Sequence, residues 1–193
     1  MRNDHGVFER QRAILVIDSF RHVLHECGVA CIDSLFLPTS QGLSEARDVG
    51  HILETIVAKK RLEVAYAKSF NPIGQLEKSA YFGRTCISIS QSLRYPSASG
   101  IIAEHKRKSP SKGVINDSLT VSEVVQGYQQ AGASAISVLT DKTFFGGSNQ
   151  DLLAVRNAIH IPILRKEFII DEYQIYEAKA IGADVILLIA ACL

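Results

Sequence analysis

The chain has 193 residues, of which 47% are hydrophobic, and a net charge of +1, which is typical of a globular protein with one domain or slightly more. The balanced charge gives no electrostatic reason to expect a nucleic acid or an acidic membrane as partner. The longest apolar stretch, 185–192, is far too short to cross a bilayer. The N-terminus does not resemble a secretory signal, so we expect a cytoplasmic protein.

Residues 1–48 form an N-terminal extension to which we can attach no role. A helix-like pattern is followed by a strand-like run and a break rich in turn-forming residues. The segment contains residue types that bind zinc, but their spacing matches none of the common zinc-site patterns, so we expect ordinary packing and no metal site. These residues are His22, His25, Cys27 and Cys31.

Residues 49–100 predict a second, helical segment. Apolar residues recur at helical spacing over 50–69, and Pro72 ends that helix. Two smaller features are predicted to follow, a short helix over 74–80 and a loop over 95–100.

A basic run lies inside the long predicted helix. Lys59, Lys60 and Arg61 are adjacent, and acidic residues interleave the run at Glu54 and Glu63. Mixed charge of this kind is typical of a solvated helix face, so we do not interpret the run as a binding patch.

From residue 101 onward, apolar strands alternate with helices. The spacing predicts βαβ units and a parallel sheet, arranged either as an open doubly wound sheet or as a closed (β/α)8 barrel. Strands are predicted at 101–106, 135–140, 161–168 and 185–191, and helices at 121–131, 149–159 and 171–181.

Charged side chains lie at the ends of two of these strands. Glu104 and Lys106 share one face of the first strand, because successive side chains of a strand point to opposite faces. Lys166 shares a face of the third strand with Leu164 and Phe168. A carboxylate near a desolvated lysine can hold it protonated. The pattern fits either a catalytic site or a surface lysine at a strand end.

A glycine-rich turn follows the second strand, at Phe144-Phe145-Gly146-Gly147-Ser148. It matches neither the dinucleotide fingerprint nor the P-loop, so we expect no nucleotide cofactor. Two adjacent phenylalanines would suit a flat aromatic substrate, although a simply capped turn is the plainer interpretation.

Three segments, IIAEHKRKSPSKG, AGASAISVLTDKTFFGGS and PILRKEFIIDEYQIYEAKAIGADVILLIAA, resemble the indole-3-glycerol phosphate synthase family of the tryptophan pathway. The resemblance implies an α/β fold of the (β/α)8 TIM-barrel type preceded by N-terminal helices. Residues 101–193 would supply the first half of that barrel, about four βα units. It also implies a carbon–carbon lyase that needs no cofactor.

The resemblance further implies the substrate and the site. The family closes the indole ring of 1-(2-carboxyphenylamino)-1-deoxyribulose 5-phosphate, a small phosphorylated molecule, with loss of carbon dioxide and water. Carried over by motif, the catalytic residues would be Glu104, Lys106 and Lys166, with Lys166 as general acid; the substrate-binding residues would be Ser109 and Pro110 in the first loop, and Phe145, Phe168 and Leu187 against the anthranilate ring.

The family's later strands, with the base for dehydration and the phosphate-binding loops, have no counterpart in this sequence. We therefore expect a truncated chain that is inactive alone, or that self-associates through exposed barrel edges. A non-catalytic half-barrel remains an alternative. So does another phosphate-binding barrel such as phosphoribosylanthranilate isomerase, although that chemistry would call for a Cys/Asp pair in place of two lysines.

Overall fold

The computed structural model describes residues 45–109, 113–114 and 118–192. The zinc-type cluster and most of the N-terminal extension lie outside the described residues, as does Pro110. No helix in the described part is long and apolar enough to cross a membrane.

Helices precede and then alternate with strands along the chain. In chain order the elements are α1 (Glu45–Phe70), α2 (Ile73–Leu76), α3 (Ile89–Arg94), β1 (Ile102–His105), β2 (Lys108–Ser109), β3 (Gly113–Val114), α4 (Val121–Gln130), β4 (Ala135–Leu139), α5 (Asn149–Ala158), β5 (Ile163–Lys166), α6 (Tyr173–Ala180), β6 (Val185–Ile186) and a 3-10 turn (Ala190–Cys192).

In the part of the chain that the structure describes, the main sheet has four parallel strands in the order β1-β4-β5-β6. The prediction of a parallel α/β sheet is therefore confirmed. In its register Glu104 lies opposite Ser137, Ser137 opposite Leu164, and Leu164 opposite Val185. Strands β2 and β3 form a separate small antiparallel hairpin after β1, which was not predicted.

Some predicted bounds were wrong. The fourth strand of the sheet was expected over 185–191, but β6 ends at Ile186. In this register Leu187 lies beside Lys166, the last residue of β5. The residues after Leu187 therefore have no β5 residue to pair with. The short helix predicted at 74–80 is α2, and it ends at Leu76. Helix α3 was missed, although Ser88 caps it by accepting a hydrogen bond from the Gln91 amide.

The two faces of the sheet differ in what covers them. On the outer face, Ile136, Val138 and Ile163 belong to the main apolar core together with side chains of α4, α5 and α6. On the other face, Ile89 of α3 packs on Ala135 and Val185 near the amino ends of the strands. The carboxyl ends of the strands on that second face are therefore left for polar residues, which is where parallel barrels carry their chemistry.

Asp184 ties the helical segment to the sheet. This fully buried carboxylate accepts hydrogen bonds from Arg84 (2.7 Å) and the Ile87 amide (2.7 Å), both upstream of the sheet. Its other oxygen accepts from Arg156 of α5 (2.8 Å) and the Ile163 amide of β5 (2.9 Å). A buried charge is tolerated because both oxygens are satisfied in this way.

We expect Asp184→Ala to lower the free energy of unfolding by about 3–5 kcal/mol. The substitution leaves buried amide donors and the buried guanidinium of Arg156 without their hydrogen-bond acceptor. Urea unfolding followed by circular dichroism measures the change. Lys68→Met is the matched control. It breaks the exposed Lys68–Asp171 pair and should cost below about 1 kcal/mol. Equal losses in the two variants would contradict the assignment of Asp184 as a structural hub.

Candidate functional site

One carboxylate joins two ammonium groups at the carboxyl end of the sheet. Lys166 of β5 donates to Oε2 of Glu104 at 2.6 Å, and Lys106, just after β1, donates to Oε1 at 3.3 Å. Ser137 of β4 donates more weakly to Oε2 at 3.4 Å. The structure thus brings together the three residues that the sequence singled out, at the carboxyl ends of β1 and β5.

These three side chains are half-buried and border a cavity of about 120 Å³. Five apolar side chains, two lysines and three carboxylates line the cavity, so it can accept a ligand with both an aromatic and a charged part. Its lining consists of Glu104, Lys106, Leu139, Asp141, Phe145, Lys166, Glu167, Phe168, Leu187 and Ile189.

The lysines determine the protonation state of Glu104. Burial alone would raise the pKa of this carboxyl, but the hydrogen bond and charge of Lys166, reinforced by Lys106, lower it below its ordinary value. Glu104 is therefore a carboxylate at neutral pH and balances one of two adjacent positive charges. The other charge is left to attract an anion.

An aromatic slot, Phe145 with Phe168, lies beside the charged group. The two ring centroids are 6.1 Å apart and the planes are tilted by 36°. Leu187, at 4% exposure, lines the same cavity. All three residues expected to pack on an aromatic ring therefore lie together.

The other two expected binding residues are not placed at the site. The backbone of Ser109 pairs with Gly113 in the β2–β3 hairpin, and Pro110 lies outside the described residues. Their predicted roles stay predictions.

The glycine pair has a packing role in the turn that carries Phe145. Gly146 has a φ of +68°, in the left-handed region that favours glycine. A Cβ on Gly147 would clash with the backbone carbonyl of Leu139 at the end of β4. Gly147 is therefore required for the loop to lie close against the strand.

The basic run on α1 was interpreted wrongly at one position. Lys59 and Arg61 are exposed, but Lys60 is only 5% exposed and lies in the buried stripe of the helix between Ile56 and Val64. The spacing of those three residues, four apart, was the signal that could have placed Lys60 on the buried face. A lysine between two buried apolar positions points into the protein whatever its charge.

Three carboxylates surround the Lys60 ammonium. Its Nζ donates to Glu63 at 2.6 Å and lies 3.0 Å from Asp141 Oδ2 and 3.1 Å from Glu167 Oε1. Burial would lower the pKa of Lys60, but the charge of Glu167, with Glu63 and Asp141, outweighs it and raises the pKa well above its ordinary value. Lys60 therefore remains charged at any physiological pH.

We expect Gly147→Ala to destabilise the chain by about 1–3 kcal/mol, because the new methyl group clashes with the backbone of Leu139 and Thr140, and the backbone must move to relieve the clash. Gly127→Ala, inside α4 with open space around it, should instead stabilise by about 0.5–1 kcal/mol. Urea unfolding of both variants gives the comparison. A neutral Gly147→Ala would show that the loop tolerates displacement.

The pH dependence of stability should report on Glu104. Its folded pKa lies below its ordinary value of 4.5, so its contribution is fully present above that value and is lost as pH falls through the folded pKa. We expect Glu104→Gln to be less stable than the unaltered chain by a constant amount between about pH 7 and pH 5, and the gap to close below about pH 4. Urea unfolding across this range is the measurement; a gap that widens on acidification would contradict the assignment.

Comparison with known proteins places these observations in a family. The sequence profile described as Indole-3-glycerol phosphate synthase matches residues 53–193. The chain is 50% identical over 142 residues to the indole-3-glycerol phosphate synthase of Bacteroides thetaiotaomicron, covering 74% of the chain and 54% of that relative.

Two further relatives with the same name give a similar result. The protein of Carboxydothermus hydrogenoformans is 47% identical over 147 residues (73% of the chain, 56% of the relative), and that of Polynucleobacter asymbioticus is 43% identical over 150 residues (74% and 56%). The chain spans about half the length of these relatives. With the family profile matching well over half of the chain, the protein belongs to the indole-3-glycerol phosphate synthase family.

Proposed function

We propose that this chain carries the ring-closing part of an indole-3-glycerol phosphate synthase site. The substrate would be 1-(2-carboxyphenylamino)-1-deoxyribulose 5-phosphate, and the overall reaction would release carbon dioxide and water. The observation that carries the proposal is the Glu104 carboxylate shared by the Lys106 and Lys166 ammonium groups beside an aromatic slot.

Lys166 would act as the general acid. A positioned ammonium that gives its proton to the ketone oxygen makes the carbonyl carbon electrophilic, and the ring carbon bearing the carboxylate can then attack it. The 2.6 Å hydrogen bond to Glu104 holds the Nζ of Lys166 at the carboxyl end of β5. Glu104 would orient this lysine before each turnover.

Lys106 would hold the carboxylate that is lost. Its bond to Glu104 is the longer of the two, at 3.3 Å, and its side chain is 34% exposed, so it can turn toward an incoming anion. Bond formation between the ring carbon and the former carbonyl carbon is followed by release of carbon dioxide, which restores the aromatic ring. The slot of Phe145 and Phe168 would keep the ring in plane for that attack.

The final dehydration requires a base. Among the described residues that line the cavity, each carboxylate is paired with a lysine: Glu104 with Lys106 and Lys166, and Asp141 and Glu167 with Lys60. We infer that the described residues bind and activate the substrate but do not complete the reaction efficiently by themselves.

Self-association is a second proposal, favoured by one observation. Among the described strands, β1 and β6 are the two edges of the sheet, and Ile101 and Ile102, beside and within β1, are 58% and 39% exposed. An apolar open edge of this kind pairs readily with another strand. Copies of the chain could therefore cover one another's edges.

The test begins with binding. Titration of the purified chain with the substrate should give saturable binding, weakened about tenfold or more in Lys166→Met, which removes a charged hydrogen-bonding group. Lys59→Met is the matched control, since it removes an exposed lysine that does not line the cavity and should leave the affinity unchanged. An unaltered chain that does not bind would overturn the proposal.

Turnover of the same preparation then tests the inferred lack of a base. We expect indole-3-glycerol phosphate to form at least about 100-fold more slowly than with the Bacteroides relative, because general base catalysis contributes on that scale. Native mass is measured alongside. A comparable rate from a monomer would refute the inference, and a comparable rate confined to an oligomer would mean that a second copy supplies the missing group.

A further inference from the structure

We propose that Lys60 of α1 is a positioning residue for the aromatic slot: its ammonium fixes the two carboxylates that hold the backbone of Phe145 and Phe168. The inference rests on the proposed function for the meaning of the slot. The geometry itself does not depend on any substrate. It assigns a role to a lysine outside the set formed by Glu104, Lys106 and Lys166.

The first step is the position of the charge. Lys60 occupies a buried site on α1 with Ile56 and Val64 on the same stripe, where an apolar residue would pack without a desolvation cost. Instead the ammonium reaches the carboxyl ends of β4 and β5 and meets Asp141 and Glu167, whose side chains are 2% and 4% exposed. Such an ion pair does little for stability compared with apolar packing, so a specific geometric role is the better account of it.

The second step is what Asp141 does with its other oxygen. Oδ2 faces Lys60, while Oδ1 accepts hydrogen bonds from the amides of Phe144 (2.7 Å) and Phe145 (3.1 Å). The carbonyl of Asp141 also accepts from the Gly147 amide at 2.8 Å. The turn that carries the Phe145 ring is thus wrapped around one carboxylate whose position Lys60 sets.

The third step is the corresponding arrangement on β5. Glu167 Oε1 faces Lys60 at 3.1 Å and accepts a hydrogen bond from the Phe168 amide at 2.8 Å. Its other oxygen accepts from Thr140 at 2.9 Å, and Thr140 accepts in turn from Arg165. The backbone of the second slot residue is therefore held by a carboxylate that the same ammonium contacts.

Together these contacts couple α1 to the separation of the two rings. Each phenylalanine amide bonds a carboxylate, and both carboxylates share one ammonium, so Phe145 and Phe168 cannot shift independently. Loss of the ammonium leaves two buried carboxylates close together, and their repulsion should move the two rings apart. The slot would widen while the Glu104–Lys166 pair stays in place.

Lys68 is a matched comparison on the same helix. It also ties α1 to the sheet-bearing part of the chain, through Asp171 at 2.8 Å, and Asp171 also accepts from the Tyr173 amide at 2.9 Å. That pair is exposed and does not contact the slot. If Lys60 only anchored α1, replacing Lys60 and replacing Lys68 should have the same kind of effect on the slot.

The experiment is hydrogen exchange of individual backbone amides, measured by NMR in the unaltered chain, Lys60→Met and Lys68→Met. In Lys60→Met we expect the amides of Phe145 and Phe168 to exchange about tenfold or more faster relative to the ladder amide of Ile136, since the carboxylate that each amide donates to is no longer held in place by the ammonium. In Lys68→Met that ratio should not change. Lys60→Arg, which keeps the charge, should restore most of the protection.

Selective loss at the two slot amides supports the proposal. Equal acceleration of all amides in Lys60→Met, or the same selective loss in Lys68→Met, overturns it. If Lys60→Met does not fold, Lys60→Gln keeps N–H donors without the charge and is judged by the same ratio.

Binding of anthranilate is followed by its own fluorescence in this tryptophan-free chain. This measurement distinguishes a failure of the positioning role of Lys60 from a failure of the proposed function. Weaker binding in Lys60→Met with protected slot amides would contradict the positioning role. If anthranilate fails to bind the unaltered chain while the slot amides respond selectively to Lys60, the proposed function loses support and the positioning role stands.

Discussion

The site depends on a single carboxylate placed between two ammonium groups that belong to different strands. Glu104 can bridge Lys106 and Lys166 only because β1, β4 and β5 are parallel and in a register that brings the ends of β1 and β5 to the same level. The bridge neutralises one of two charges that would otherwise repel across the sheet. Packing on the outer face, where Ile136 and Val138 meet the helices, keeps this register fixed.

A second ionic cluster, around Lys60, contacts the backbone of the aromatic slot. Around Glu104 one acid serves two bases, whereas around Lys60 one base serves three acids. Both clusters contribute side chains to the cavity that Phe145 and Phe168 line, so the cavity contains groups of both charges. An anionic group of a ligand is attracted to the cluster around Glu104 and repelled by the cluster around Lys60, which favours one orientation of the ligand in the cavity.

The positions of Glu104, Lys106, Lys166 and Phe168 could be predicted from the sequence, for identifiable physical reasons. The period-two alternation in β1 and β5 places Glu104 with Lys106 and Lys166 with Phe168, and parallel pairing then brings the strand ends together. Lys60 was misplaced because a charged residue is expected at the surface, although its spacing from Ile56 and Val64 already put it on the buried face of α1. The end of β6 could not be predicted either, since an apolar run does not show where the neighbouring strand β5 ends.

Asp184 has a consequence for how this chain can be divided. Its hydrogen bonds to Arg84 and the Ile87 amide cross the boundary between the helices that precede β1 and the region in which strands and helices alternate. Lys60 crosses the same boundary toward Asp141 and Glu167. A recombination breakpoint there would strip buried charges of their partners in both fragments. Chimeras between relatives should therefore exchange the helical segment only together with the residues that receive its cations.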